Sequence, residues 1–179
     1  AIGNSSTVIN LLTQVIIGIT IGGGVLIGQY YGAKQKKDCQ EPTGTLLTLG
    51  ILIGVGVSVL LFLMANQIMI AGALSGVCEA LTYAKAEGLD GNTLLGAVST
   101  GAAGSKQLDF HGKKILAGDF APGFFMKHFV KDMRLAEEEA ENAGLDLNVL
   151  QQALSNCQSL IDRGCGDLGT QALIKFYEK

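Results

Sequence analysis

Charge is distributed so unevenly along this chain that it limits the possible folds: no charged side chain precedes Lys34, and none lies between Pro42 and Cys78. Each gap has room for an apolar helix of about 20 residues, which at ~1.5 Å rise per residue crosses a ~30 Å hydrocarbon core. Residues 8–29 and 43–65 are the two candidate spans. Neither has the form of a cleaved signal peptide, since the first lacks a basic leading region and the second is internal. The alternative is a pair of very apolar core helices in a soluble protein. A soluble helix normally keeps a polar stripe, however, and the second span has almost none.

Glycine spacing favours the membrane reading. Gly18 and Gly22 are four apart, as are Gly24, Gly28 and Gly32, and Gly50 and Gly54. An interior glycine costs a soluble helix about 1 kcal/mol relative to alanine, whereas in a bilayer this spacing lets helix backbones approach closely. The connecting segment from Tyr30 to Asp38 combines two interfacial tyrosines with Lys34, Lys36 and Lys37. The positive-inside tendency places that loop on the cytoplasmic side, which sends the rest of the chain to the opposite face.

Beyond residue 69 the composition changes. Residues 70–179 hold 10 Lys+Arg and 14 Asp+Glu, and the whole chain of 179 residues has a net charge of −3. With no cationic excess to neutralise phosphates, a nucleic-acid partner is not expected. Ile70, Leu74, Val77, Leu81 and Ala84 recur at helical spacing, and Gly88 stands where that helix would stop. Asn92 is the expected N-cap of a helix over 93–99, and Gly101-Ala102-Ala103-Gly104-Ser105 marks a turn. A long amphipathic helix is expected over 124–142, with Phe125, Phe129, Met133, Ala136 and Ala140 inward and Arg134 paired to Glu138. Two further helices follow over 147–163 and 171–177. No stretch alternates at period two, so the expected fold is all-α: a membrane-like hairpin over 1–66 and a helical domain over 67–179.

The N-terminal residues resemble multidrug and toxic-compound extrusion (MATE) transporters. The resemblance is carried by Ala1-Ile2-Gly3, by the run Ile19-Thr20-Ile21-Gly22-Gly23-Gly24-Val25-Leu26-Ile27-Gly28-Gln29-Tyr30-Tyr31-Gly32-Ala33-Lys34, and by the apolar helix after it. It implies the second and third transmembrane helices of such a transporter and the basic loop between them. Neither span contains Asp or Glu, so the family's ion-coupling carboxylates have no counterpart here.

From residue 64 onward the chain resembles the C-terminal domain of β-hydroxyacid dehydrogenases, the group of tartronate-semialdehyde reductase and 3-hydroxyisobutyrate dehydrogenase. The residues concerned include Met64-Ala65-Asn66-Gln67, Ala84-Lys85-Ala86-Glu87-Gly88-Leu89-Asp90, Gly101-Ala102-Ala103-Gly104-Ser105, Leu116-Ala117-Gly118-Asp119-Phe120-Ala121-Pro122-Gly123-Phe124 and Val130-Lys131-Asp132. This resemblance implies NAD(P) bound by a Rossmann domain, and an all-α domain that supports dimerisation and closes the active site. By the same resemblance Asn66 and Gln67 are substrate-contacting amides and Lys131 lies near the cofactor. Each also has a plainer reading: the two amides as the polar end of an apolar helix, and Lys131 as one charge on a solvated helix face.

Two features of the catalytic pattern are missing. The dinucleotide fingerprint G-x-G-x-x-G joins a strand to a helix, but Gly22-Gly23-Gly24 and Gly28 sit in an apolar run with no strand before them. The resemblance also puts a catalytic lysine just before Met64, and position 63 is Leu63. An aliphatic side chain neither donates a proton nor stabilises an alkoxide. His111 and His128 have no third ligand patterned around them, so no metal site is expected. Cys39, Cys78, Cys157 and Cys165 form no C-x-x-C pair.

The expected protein is therefore a chimeric or truncated chain that carries a dehydrogenase's helical domain, is not catalytic alone, and binds no cofactor by itself. It is expected to associate with membrane lipid, or alternatively to be cytoplasmic, and the C-terminal helices offer a homodimer surface. A membrane-anchored fragment of a multidrug or cation antiporter and a purely structural helical protein are the other readings. The two resemblances meet within Met64-Ala65-Asn66-Gln67-Ile68-Met69.

Overall fold

The computed structural model describes residues 5–35 and 37–178, giving side chains from residue 13 onward. Ala1-Ile2-Gly3 and Lys36, named above for the transporter resemblance and the basic loop, lie outside the described residues. Among those described there is no β-strand, only an isolated bridge between Phe125 and Gly169. The fold is all-α. The chain divides into two compact units, Ala1–Phe62 and Leu63–Lys179.

The first unit contains helix α1 (Ser5–Gly32) and the N-terminal part of helix α2 (Gln40–Ala86). Helix α1 ends in a tight cap in which Lys34 N–H donates to Tyr31 O and Gln35 N–H to Tyr30 O. Lys34 closes that cap at φ 61°, where glycine is usual and other residues pay roughly 1–2 kcal/mol. Pro42 falls in the first turn of α2, where no intrahelical N–H is needed. The helices touch where Gly23 of α1 leaves room for the Leu46 side chain of α2. No described side chain from 13 to 62 is buried. The hydroxyls of Thr20, Thr43, Thr45, Thr48 and Ser58 each donate to the carbonyl four residues back, at 2.7–2.9 Å. Each hydroxyl is thereby satisfied by a carbonyl one helical turn back.

The sequence reading separates the second span from the helix that begins near residue 70. The structure instead has one continuous α2 of 47 residues. Nothing in Met64-Ala65-Asn66-Gln67-Ile68-Met69 breaks a helix, because it contains neither Pro nor Gly.

The second unit packs the end of α2 against α3 (Gly91–Val98), a π-helical turn (Leu108–Gly112), α4 (Lys113–Leu116), α5 (Met126–Asn142), α6 (Asn148–Asp162), a 3-10 turn (Thr170–Leu173) and α7 (Ile174–Tyr177). Its core joins Leu74, Val77, Cys78 and Leu81 of α2 to Phe129, Val130 and Met133 of α5, and to Leu150, Cys157 and Leu160 of α6. Helix α2 ends at Gly88, φ 71°, with Leu89 N–H reaching back to Ala84 O. Helix α5 ends the same way at Gly144, φ 72°, with Leu145 N–H donating to Ala140 O.

Three local expectations are corrected. Asp90, not Asn92, caps α3: its carboxylate accepts from Thr93 N–H and Thr93 Oγ1, both at 2.8 Å. Phe125 is 36% exposed rather than inward, because it precedes α5 in extended backbone and bridges to Gly169. Arg134 hydrogen-bonds Gln158 of α6 at 2.6 Å in place of the expected pairing with Glu138. A tertiary partner outcompetes a neighbour on the same helix, where such pairs are worth only a few tenths of a kcal/mol.

Candidate functional site

The start of α5 fixes the site. Met126 and Lys127 stand in its first turn, where backbone donors lack intrahelical partners. Their N–H groups donate instead to Leu168 O (2.9 Å) and Gly166 O (3.1 Å), while Thr170 N–H donates to Phe124 O (3.1 Å). Gln171 is only 1% exposed, and its amide Nε2 donates to Asp119 O and Ala121 O, both at 3.0 Å. These bonds clamp the 119–125 loop and hold Phe124 beside Phe129, ring centroids 6.5 Å apart and edge to face.

Beside them lies a pocket of about 260 Å³ lined by Gln67 and Ile70 of α2, Gln107, His111, Phe124, Phe129 and Thr170. Gln67 reaches α5 directly: its Nε2 donates to Asp132 Oδ2 at 2.7 Å. His111 belongs to the π-helical turn, a geometry that occurs mostly as single turns and frequently at functional sites. Burial, reinforced by the positive charge of Lys114, pushes the His111 imidazole below its ordinary 6.5. Its Nδ1 and the Oε1 of Gln107 are buried and have no hydrogen-bond partner among the described residues.

The structure brings only one of the three residues singled out from the sequence into this site. Gln67 lines the pocket, whereas Asn66 and Lys131 are both exposed. Leu63, 54% exposed, stands one helical turn before Gln67 and so shares its side of α2. Sequence reasoning missed Asp132 as a partner and Gln107 and His111 as pocket walls. Asp132 was within reach, because it follows the buried Phe129 by three residues and must lie at the edge of the core face. Gln107 and His111 had no such signal, since the π-turn is not written in any periodicity. His128 is exposed and packs against the rings of Phe124 and Phe125.

The glycines of α1 do not form a dinucleotide-binding turn. A pyrophosphate needs free backbone N–H groups at a strand-to-helix turn. Here Gly22, Gly23, Gly24 and Gly28 all lie inside α1.

A family profile described as the NAD-binding domain of NADP-dependent 3-hydroxyisobutyrate dehydrogenase matches residues 62–177. The chain belongs to this family. A second profile, described as MatE, matches residues 1–85, so the two overlap along α2. Both resemblances read from the sequence are met by these matches. Over 116 residues the chain is 48% identical to a probable 3-hydroxyisobutyrate dehydrogenase-like 1 protein, mitochondrial, of Arabidopsis thaliana, covering 65% of this chain and 35% of the relative. It is 43% identical to an uncharacterized oxidoreductase of Bacillus subtilis, again over 65% of this chain and 40% of the relative. The crystal structure of a 3-hydroxyisobutyrate dehydrogenase from Salmonella typhimurium superposes with a TM-score of 0.60 at 23% identity, covering 63% of this chain and 39% of that one. The chain thus spans well under half the length of these relatives.

Proposed function

We propose that the second unit is the helical C-terminal module of a 3-hydroxyacid dehydrogenase and that the chain by itself transfers no hydride. The observation that carries this reading is Leu63, an aliphatic side chain one turn before Gln67, where the family resemblance expects a lysine. The glycines of α1, enclosed in a helix, support it from the cofactor side. Within this reading Gln67, held by Asp132, and Asn66 are the substrate-side amides, and Lys131 is the cofactor-side cation that an added nucleotide domain would meet. The C-terminal helices are the surface through which a second copy would pair. The test is NAD(P)H oxidation with tartronate semialdehyde and succinate semialdehyde, alongside titration of NAD(P)H by fluorescence. The expected result is neither turnover nor saturable binding; either one overturns the reading.

A second reading concerns location, and we infer that the first unit associates with membrane lipid. Its support is the pair of helices long and apolar enough to cross a bilayer, with Val25, Ile51, Leu52, Val55 and Phe62 all exposed. Expressed alone, the chain is expected to sediment with membranes and resist carbonate extraction. Recovery as a monodisperse species in plain buffer overturns this inference and leaves the dehydrogenase reading intact.

A further inference from the structure

Four features of the second unit converge on the pocket beside the π-helical turn. It is small, about 260 Å³, against the 300–1,000 Å³ usual for drug-sized ligands. Phe124, Phe129 and Ile70 make one side of it apolar. Gln107 and His111, four residues apart, both line it, and each holds one buried polar atom with no hydrogen-bond partner among the described residues. The turn that carries His111 is π-helical, a rare geometry found frequently at functional sites.

Leaving a buried polar atom unpaired is costly, so each orphan atom points to a missing partner. The chemistry of the pair restricts what that partner is. Gln107 Oε1 can only accept a hydrogen bond, and His111 Nδ1 can donate when it carries the ring proton. A hydroxyl, which both donates and accepts, answers both atoms. A carboxylate cannot donate to Gln107 Oε1, and burial and Lys114 disfavour the cationic form of His111 that would attract it.

We propose that this pocket recognises the hydroxyl end of a small uncharged alcohol, the hydroxyl donating to Gln107 Oε1 and accepting from His111 Nδ1–H. The carbon skeleton lies against Phe124, Phe129 and Ile70. Solvent does not reach the two orphan atoms, so entry of the ligand includes a turn of the Gln107 amide and the His111 ring toward the pocket. This recognition goes beyond the dehydrogenase reading and does not depend on it, since it needs neither nucleotide nor turnover.

The experiment uses the full chain in detergent micelles with histidine labelled by nitrogen-15. Isobutanol and isobutyrate, which share one branched skeleton, are titrated separately while the imidazole resonances of His111 and His128 are followed. The expected result is a saturable shift at His111 with isobutanol and none with isobutyrate. In Gln107→Leu the apparent affinity for isobutanol should fall roughly five- to tenfold, the loss of one hydrogen bond. Three results overturn the proposal: an unsaturable drift of both histidines, an equal response to isobutyrate, or unchanged affinity in Gln107→Leu. If that variant does not fold, the His111 titration in the unmodified chain decides. Because NAD(P)H is absent throughout, the outcome is separate from the test of hydride transfer.

Discussion

Gln67 Nε2 and Asp132 Oδ2 lie 2.7 Å apart, joining residues 65 positions apart in the chain. The bond ties α2 to α5 at the rim of the pocket, and it fixes the amide that the family resemblance places against a substrate. A neutral amide donating to an ionised carboxylate gives a stronger bond than one between neutral groups. It is half-buried, so solvent replaces it only in part.

The first prediction follows from that pair. Gln67→Leu should destabilise the second unit by about 1.5–2 kcal/mol, the low end of the range for a hydrogen bond to a charged group. Asp132→Asn keeps a carbonyl oxygen as acceptor and should cost less than Gln67→Leu. Urea unfolding followed by helical circular dichroism measures both. Equal and negligible losses would mean that the bond does not form in solution.

His111 should make stability depend on pH in a defined direction. Its folded value lies below its ordinary 6.5, through burial first and Lys114 second, so the folded form binds protons less readily than the unfolded chain. The contribution is fully present above the unfolded value. It is lost as pH falls from there through the folded value, because the unfolded state takes up the proton first. Unfolding measured between ~pH 7.5 and ~pH 5.5, a window that brackets the ordinary histidine range, should show a shallower loss in His111→Phe than in the unmodified chain. Identical slopes would contradict it.

The three thiols of the second unit should divide into two classes. Cys78 and Cys157 are buried; burial pushes both up, Cys157 to about 12, and for Cys78 the nearby Cys157 and Glu79 push further in the same direction. The thiolate is the reactive form, so iodoacetamide at neutral pH should leave these two unlabelled until the protein unfolds. Cys165, half-buried, should label in the native state. Peptide mass spectrometry after timed alkylation reads the order, and early labelling of Cys157 would show an opening of the α6 face.

Restoring the acid alone should rescue nothing. Leu63→Lys puts an ammonium one turn before Gln67, and a general acid contributes about 10²–10⁴ in rate. Cofactor binding is a prerequisite rather than a multiplier, so NAD(P)H oxidation by this variant should stay at background. The added charge near the end of the second span should also weaken membrane insertion by up to a few kcal/mol. Activity confined to the lysine variant would show that another chain supplies the nucleotide site.

Much of this protein is determined by sequence alone. The two charge-free runs mark long apolar segments of membrane-spanning length, because no charge gives them a wet face. The 3.6-residue spacing of Leu74, Val77, Leu81 and Ala84, and of Phe129, Met133, Ala136 and Ala140, identifies the core faces of α2 and α5. Local chemistry also marks the helix ends at Gly88 and Gly144, since only glycine takes a positive φ without strain. Tertiary structure decided the rest. Whether Arg134 turns to Glu138 or to Gln158, whether Phe125 packs inward or bridges to Gly169, and which carboxylate holds Gln67 depend on what the neighbouring elements offer. The pocket is the clearest case. Gln107 and His111 become its polar wall because a π-turn and the clamped 119–125 loop meet there, and no single stretch of sequence contains both sides of a cavity.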